Sequence, residues 1–170
     1  IRWKFGVNIP GISGSKPAMD FVRKLTVPSL SYSNTVCRLV GWNKDGSPSI
    51  PMANIAGIAH ITGGGVWGKF GELLPEGVGA LLDTMPDPAD VLLEAQAMSW
   101  DSSDLRLTDK QAYGTFHGGC GMLLVCHSDD DAMTVIAEAN KDGIDAQKVG
   151  YTTKIGAGDH KLKIVSRFRH

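Results

Sequence analysis

The sequence contains few cysteines and has no excess of charge of either sign. Its three cysteines, Cys37, Cys120 and Cys126, form no closely spaced Cys-x-x-Cys pair, which argues against a disulfide framework and a structural zinc site. We expect buried, reduced thiols of the kind found in cytoplasmic proteins. Lys and Arg total 17 while Asp and Glu total 18, and this balance argues against a general nucleic-acid binder, which usually carries a basic excess. The balance still permits a local basic pocket for a phosphorylated metabolite.

Long apolar runs are also absent from the sequence. No uninterrupted apolar stretch reaches the roughly 18 to 20 residues that span a bilayer. The first residues, Ile1–Phe5, lack the basic-then-apolar pattern of a signal peptide, so we expect a cytoplasmic protein that does not enter the membrane. The 170 residues suit one domain, and 42% of them are hydrophobic, which is enough for a core. Because the chain does not begin with Met, we expect it to be a piece of a longer protein.

Glycine, in contrast, is abundant, and three glycines stand in a row at Gly63, Gly64 and Gly65. The apolar run Ile55–Ile61 before them predicts a strand, and Val66–Leu74 after them predicts a helix. Consecutive glycines bring no side-chain packing and cost backbone entropy, so they indicate a sharp turn or a close approach of the backbone to a ligand. At a strand-to-helix junction, their N–H groups can hold an anion such as phosphate. On the residues alone, a tight turn without a ligand is an equal alternative.

Two polar residues flank this junction, His60 at the end of the apolar run and Thr62 before the glycines. Three roles are open for His60: a general base, a phosphate contact, or a histidine satisfied within the core. The position of a lone histidine at the end of an apolar run favours the core role.

A second glycine cluster contains His117 beside Gly118 and Gly119, and it leads into the apolar run Met122–Cys126, which predicts a strand. A histidine beside turn glycines is expected to be exposed and to titrate near neutral pH. An ordinary turn is the alternative. If the two glycine-rich loops converge at neighbouring sheet edges, the two histidines belong to one site.

Helix and strand signals interleave without the strict alternation of a doubly wound sheet. We therefore predict a single α+β domain over residues 1–170, with a mixed, largely antiparallel sheet and helices packed on it. From Met122 onward the order strand, helix, strand, strand is partly ferredoxin-like, with Gly156–Asp159 as the connection of a final hairpin. The other predicted strands are Arg2–Asn8, Gly79–Leu82, Ala146–Thr152 and Lys161–Phe168. Helices are predicted at Pro17–Leu25 and, for one turn, at Thr108–Tyr113, and Thr35–Gly41 is either a strand or a helix.

Two further helices carry capping signals. One is predicted to begin with Asp87 as N-cap and Pro88 in the first helical position. The other begins after Ser128 and runs to about Asn140. We interpret Asp129–Asp131 as acids favoured at a helix N-terminus rather than as a metal site. The residues predicted to face inward from this second helix are Met133, Ile136 and Ala137.

The residues Gly57–Gly65 (Gly-Ile-Ala-His-Ile-Thr-Gly-Gly-Gly) resemble the signature of the aminoimidazole ribonucleotide (AIR) synthetase family, the phosphoribosylformylglycinamidine cyclo-ligases. Tyr113–Met122 is similar to that family's second motif, Tyr-Arg-Thr-Phe-Asn-Cys-Gly-(Ile/Val)-Gly-Met. Leu74–Pro75 and the helix signal at Pro88–Gln96 occur in the family's order. The resemblance covers roughly Ala53–Tyr151.

The resemblance implies the C-terminal domain of a two-domain enzyme that forms a homodimer, with an N-terminal half that binds most of the ATP and Mg²⁺. It implies ATP-dependent cyclisation of formylglycinamidine ribonucleotide to AIR in purine biosynthesis, in which ATP activates the formyl amide oxygen and the amidine nitrogen then displaces phosphate. This chain alone is expected to be inactive. Its implied partners are a small phosphorylated metabolite, the N-terminal half and a second copy. The implied site residues are His60 as catalytic residue and, for substrate or phosphate, Thr62, Gly63, Gly64, Gly65, His117, Gly118 and Gly119, with no metal ligand.

Four departures from the family pattern leave the substrate open. Gly68 and Lys69 stand where the family has Glu-Asn, His117 replaces an Asn, Gly114 replaces an Arg, and Asp83–Pro88 lacks the usual Trp. The alternatives are a diverged, non-catalytic module for ligand binding or dimerisation, and a paralogue that acts on another small phosphorylated substrate.

Overall fold

The computed structural model describes residues 16–101, 106–156 and 158–169. The predicted strand Arg2–Asn8 lies outside the described residues. In that part of the chain, no helix is long and apolar enough to cross a membrane. The elements are, in chain order, α1 (Lys16–Leu25), α2 (Ser33–Leu39), β1 (Ile55–His60), α3 (Gly65–Leu73), β2 (Val78–Leu82), α4 (Asp90–Ser99), α5 (Asp109–Thr115), β3 (Met122–Cys126), α6 (Asp129–Lys141), β4 (Gly150–Lys154) and β5 (Leu162–Ile164).

The strands of the described residues form two sheets. β1 pairs antiparallel with β3, from Ile55 opposite Cys126 to His60 opposite Met122. In the second sheet β2 is central, antiparallel to β4 and parallel to β5. The predicted α+β class, with mixed and mainly antiparallel pairing, is therefore confirmed. The strand, helix, strand, strand order after Met122 is present too, but β3 lies in one sheet and β4 and β5 in the other.

The predicted hairpin across Gly156–Asp159 is wrong. β4 and β5 lie on opposite sides of β2, so the chain between them crosses from one edge to the other. Gly79, Ala80 and Leu82 are buried, and a buried strand needs hydrogen-bond partners along both edges. A Cβ at Gly79 would also lie 2.6 Å from Ile155 Cγ2, so this glycine lets the chain leaving β4 pass closely over β2.

The core lies between the sheets and the helix pair α3 and α5. Val66, Phe70 and Leu74 recur every four residues, and all three are buried against it. Tyr113 on α5 is fully buried, and its ring meets Phe168 edge to face with 4.9 Å between the ring centroids. This core fixes the start of α3 and the end of α5, which bear the two glycine-rich loops.

Helix α4 does not begin as predicted. Ala89 is its N-cap and no side chain caps it, so Asp87 is not the N-cap. The Asp87 carboxylate instead pairs with Arg167, with 3.1 Å between Oδ1 and Nε, and Pro88 is buried before the helix. The Asp87 carboxylate thus pairs with Arg167, which is distant in sequence, instead of capping the helix.

Helix α6 begins as predicted, since Ser128 Oγ accepts a hydrogen bond from the Asp131 N–H at 3.1 Å. Its predicted inward face is wrong, because Met133 is 62% exposed and Ala137 is also exposed, although Ile136 is half-buried. Glu138 and Ala139 are buried instead, on the side where α2 packs. Arg38 and Lys141 both pair with the Glu138 carboxylate, and this pairing allows a charged side chain on the inner face.

The cysteines are free, as predicted, but only one is fully buried. Cys120 is 8% exposed, and burial raises the pKa of its thiol to about 11. Cys126 is half-buried, and Cys37 is exposed on α2, so the expectation of a buried thiol is wrong for Cys37.

Candidate functional site

Two glycine-rich loops meet at one end of the β1–β3 sheet. β1 ends at His60, and β3 runs in the opposite direction from its register partner Met122. Just beyond that pair, the N–H of Ile61 donates a 3.0 Å hydrogen bond to the carbonyl oxygen of Gly121. The antiparallel pairing therefore brings the loop after β1 beside the loop before β3, which is the convergence that the sequence suggested.

The three glycines turn the chain from β1 into α3. Gly64 and Gly65 have φ values of 92° and 58°, in the left-handed region that favours glycine. The turn is closed by the Gly65 N–H, which donates to the Thr62 carbonyl oxygen at 2.9 Å. A Cβ at Gly65 would lie 2.1 Å from the Tyr113 carbonyl oxygen. Gly65 is therefore explained by packing of α3 against α5, without any ligand.

Gly63 has no such explanation. Apart from its two chain neighbours, a Cβ at Gly63 would meet no heavy atom of the described residues within 4 Å, and its φ lies outside the left-handed region. A Cβ at Gly64 would find only the Gly68 Cα, at 3.8 Å. Both glycines are exposed, so a ligand is able to approach this stretch of backbone closely.

The start of α3 offers backbone donors. No side chain caps it, and the first intrahelical bond runs from the Gly68 N–H to the Gly64 carbonyl oxygen at 3.0 Å. Of the earlier N–H groups, that of Trp67 belongs to a half-buried residue at the positive end of the helix dipole, whereas that of Val66 belongs to a fully buried residue. On the first turn of this helix, the Trp67 ring faces a cation, with Lys110 Nζ 5.5 Å from the ring centre. This end of the helix suits an anion.

His60 and Thr62 are both exposed beside this turn. The core role for His60 is therefore wrong: side chains alternate along β1, Ala59 points into the core, and His60 faces outward. The His60 ring contacts Tyr32 edge to face, with 6.1 Å between ring centroids and 71° between the planes. Sequence reasoning missed Tyr32, because nothing in its local sequence connects it to a histidine 28 positions later.

His117 is exposed, as predicted, and it shapes its own loop. Its Nδ1 accepts a hydrogen bond from the Gly119 N–H at 3.1 Å, so the proton of the neutral ring is on Nε2. Partial desolvation lowers the pKa of His117 below its usual value of 6.5, which keeps the ring neutral at pH 7.

The neighbouring glycines of this loop have packing roles. A Cβ at Gly118 would lie 2.3 Å from the Tyr113 ring, and one at Gly119 would lie 2.5 Å from the Asp87 carbonyl oxygen. Both residues also have positive φ values, 57° and 84°. The turn interpretation of this cluster therefore explains these two glycines, while His117 is the member whose side chain is presented to solvent.

A groove of about 540 Å³ opens beside the second loop rather than beside the three glycines. Its walls come from α2, β3, α6 and β4, and they are mostly apolar. Among the predicted site residues in the described ranges, Gly119 alone lines it, together with the missed residue Tyr32. The exposed Gly63 and Gly64 thus lie on an open surface and not inside this groove.

Within the described ranges, no group of three or more His, Cys, Asp or Glu side chains is arranged to hold a metal ion. The acids at the start of α6 have other partners: Asp131 accepts from the Asn54 N–H at 2.8 Å, and Asp129 pairs with Lys148 at 2.6 Å. The Asn54 bond is the largest cause of the lowered pKa of Asp131. These residues do not fit a Mg²⁺ site.

An α+β domain with a glycine-rich turn between a strand and a helix defines the class of this protein, and comparison with known sequences gives the family. The chain belongs to the AIR synthase related proteins, whose C-terminal domain matches residues 45–163. Both glycine-rich loops lie within the match.

Two relatives carry the name phosphoribosylformylglycinamidine cyclo-ligase. The protein from Finegoldia magna is 32% identical over 129 residues, covering 74% of this chain and 36% of the relative. The protein from Methylobacillus flagellatus is 30% identical over 160 residues, covering 94% of this chain and 41% of the relative. The chain therefore spans about two fifths of the length of these relatives or less.

Proposed function

We propose that this chain is the C-terminal domain of an ATP-dependent cyclo-ligase that converts formylglycinamidine ribonucleotide to AIR in purine biosynthesis. In this proposal it acts in the cytoplasm with an N-terminal half, which binds most of the ATP and Mg²⁺, and it forms a homodimer. The two relatives named as cyclo-ligases extend well beyond the length of this chain, which supports a partner half. Taken alone, the chain is expected to have no turnover.

The observation that carries the proposal is the exposed turn at Gly63 and Gly64 before the uncapped N-terminus of α3. Neither glycine is needed to avoid a contact closer than 3.8 Å. The left-handed φ of 92° accounts for glycine at position 64, but neither packing nor φ accounts for it at position 63. An anion seated on this turn would receive N–H donors and the positive end of the helix dipole.

The chemistry asked of these residues is stabilisation of charge. When ATP phosphorylates the formyl amide oxygen, negative charge is carried by the transferred phosphoryl group, and donors fixed before the reaction stabilise it without reorganising. Thr62 supplies a hydroxyl and the turn supplies N–H groups for the phosphate. His60 lies at the end of β1 as the catalytic candidate, and His117 presents a neutral Nε2–H from the second loop. No step in this account passes through Mg²⁺, because the described residues do not fit it.

A second candidate is a paralogue acting on another small phosphorylated substrate. It is favoured by the place of the departures from the family pattern, since a Cβ at Gly68 or Gly114 would meet no heavy atom within 4 Å, and Lys69 is exposed. Changes at such open positions alter what a ligand would contact while leaving the core intact. A non-catalytic binding module would show the same features.

The deciding experiment is complementation with a separately expressed N-terminal half of the Methylobacillus flagellatus relative. The two halves are mixed with ATP, Mg²⁺ and formylglycinamidine ribonucleotide, association is checked by size-exclusion chromatography, and AIR formation is measured against each half alone. Turnover that requires both halves supports the cyclo-ligase. An associated pair without AIR formation would overturn it, and phosphate binding that persists in that case would favour the second candidate.

A further inference from the structure

We propose that Tyr32 is a positioning residue that holds the His60 imidazole at the junction of the two glycine-rich loops. The inference rests on the proposed role of His60 in binding or reaction. Tyr32 itself is half-buried at the N-cap position of α2, and it approaches the junction from outside both loops.

The first line of support is the contact with His60. The rings stand 6.1 Å apart at 71°, within the range in which aromatic pairs attract one another edge to face. His60 is exposed and ends its strand, so the core does not enclose its side chain. A side chain that is fixed before the substrate arrives loses less freedom on binding.

The second line of support is the space made for the Tyr32 hydroxyl. A Cβ at Gly121 would lie 2.1 Å from that oxygen and 3.1 Å from Cζ of the ring. Gly121 has no positive φ, so its backbone conformation does not require glycine. The absence of a side chain at Gly121 therefore leaves the space that the Tyr32 hydroxyl occupies. The carbonyl oxygen of the same glycine accepts the hydrogen bond from the Ile61 N–H.

The third line of support is the anchoring of α2. The Tyr32 carbonyl oxygen accepts the first helical bond, from the Val36 N–H at 2.9 Å. Thr35 Oγ1 donates to the Asp142 carboxylate, and Arg38 donates to it at 2.8 Å, so two successive turns of α2 are tied to the end of α6. Tyr32 is thus held by a fixed helix, as a positioning residue must be.

Tyr32 also stays uncharged. Burial, and secondly the nearby Cys120, raise its pKa above the usual value of 10.0, so the hydroxyl keeps its proton at neutral pH. A neutral ring edge or face beside His60 places no fixed charge next to an anion at the glycine turn.

The test uses Tyr32→Phe, Tyr32→Leu and Gly121→Ala, with Tyr151→Leu, at an exposed tyrosine of β4, as matched control. The His60 ring resonances are followed by NMR, and the affinity for inorganic phosphate is measured by titration. Tyr32→Leu and Gly121→Ala are expected to shift the His60 resonances and to weaken phosphate binding about threefold to tenfold, the range expected for losing one aromatic contact. Tyr32→Phe keeps the ring, so its His60 resonances and its phosphate affinity are expected to be like those of the wild-type chain.

Failure of the positioning role of Tyr32 can be distinguished from failure of phosphate binding. If the wild-type chain binds no phosphate, the anion role proposed for the glycine turn is overturned, while the His60 resonances still test the contact with Tyr32 and AIR formation still tests the proposed function. If Tyr32→Leu leaves the His60 resonances and the phosphate affinity as in Tyr151→Leu, the positioning role is overturned. If Tyr32→Phe loses affinity as strongly as Tyr32→Leu, the hydroxyl rather than the ring is responsible, which also overturns it.

Discussion

The Cβ that any residue other than glycine would carry at position 65 would lie 2.1 Å from the carbonyl oxygen of Tyr113. A second carbonyl oxygen, that of Phe116, would lie 2.8 Å away. Two backbone atoms on α5 and its C-terminal end thus fix the identity of one member of the glycine run. This close approach fixes the start of α3 against α5 and so fixes the position of the glycine turn for which we propose anion binding.

Replacement of Gly65 by alanine is therefore expected to destabilise the fold. The left-handed φ of 58° adds strain to the overlap with backbone atoms that cannot move away. Together these effects are expected to lower the free energy of unfolding by on the order of 3 kcal/mol. Urea unfolding followed by circular dichroism measures the change.

The matched control for this prediction is Gly71→Ala in the same helix, where the nearest atom, Leu162 Cδ2, would be 4.0 Å away. Alanine is the better helix former, so Gly71→Ala is expected to raise stability by about 0.5 to 1 kcal/mol. Equal unfolding midpoints for the Gly65 and Gly71 variants would contradict the structural assignment of Gly65.

The sequence was sufficient to predict the local part of the site. The apolar runs Ile55–Ile61 and Met122–Cys126 predicted strands, and the glycine clusters beside them predicted two loops that form one site if they converge. It was not sufficient to divide the three glycines by role. Gly63 and Gly65 are the same residue type, and only the structure shows that the close approach of α5 and a left-handed φ require glycine at position 65.

Pairing between distant segments was the part that sequence reasoning could not reach. A short strand pattern followed by Gly156–Asp159 is typical of a hairpin, yet β5 adds to the far edge of β2 because that strand is buried and both edges need partners. The inward face of α6 was missed for a related reason. A glutamate in a helix is usually predicted to face solvent. Glu138 is buried because it pairs with Arg38 of α2 and Lys141 of α6, and the sequence does not show that these helices pack together.

Protonation of His117 is expected to make the stability of its loop depend on pH. Its folded pKa is lowered by desolvation, so the unfolded chain binds a proton more readily than the folded one. The stability that this residue contributes is present above its unfolded pKa of 6.5 and is lost as the pH falls through the lower folded pKa. Protonation also removes the Nδ1 acceptor used by the Gly119 N–H.

This pH dependence is measured by NMR titration of the His117 ring and the Gly119 amide from about pH 7.5 to about pH 4.5, a range that includes pH values on both sides of the usual histidine pKa. The Gly119 amide is expected to shift with the same midpoint as His117, below 6.5. In His117→Asn, which introduces the residue found in the family motif, the Gly119 shift is expected to disappear. A midpoint above 6.5 in the wild-type chain would contradict the prediction.

The hydroxyl of Tyr113 is expected to stabilise the C-terminal segment. It accepts a hydrogen bond from the Arg167 N–H at 3.1 Å, and the tyrosine is 1% exposed. Tyr113→Phe leaves that backbone N–H without its acceptor, so we expect a loss of about 1 to 2 kcal/mol in unfolding free energy. Urea denaturation measures the loss, and Tyr151→Phe at an exposed site is the control, with a change within about 0.5 kcal/mol. A Tyr113 variant as stable as the control would show that the bond contributes nothing.

Gly63 is expected to matter for binding and not for folding. Alanine fits there without a contact within 4 Å and without a left-handed φ, so Gly63→Ala should unfold at the wild-type urea concentration. The added methyl group would occupy the surface on which an anion approaches the N–H groups of the turn. We expect phosphate binding, measured by NMR titration, to weaken about tenfold, which corresponds to about 1.4 kcal/mol.

Gly64→Val is a poorer test, because the φ of 92° at this position adds strain, and a loss of binding could then come from a loss of folding. Gly71→Ala, two turns further along α3, should bind phosphate like the wild-type chain. Phosphate affinity that is unchanged in Gly63→Ala would mean that the glycine run is a turn and nothing more.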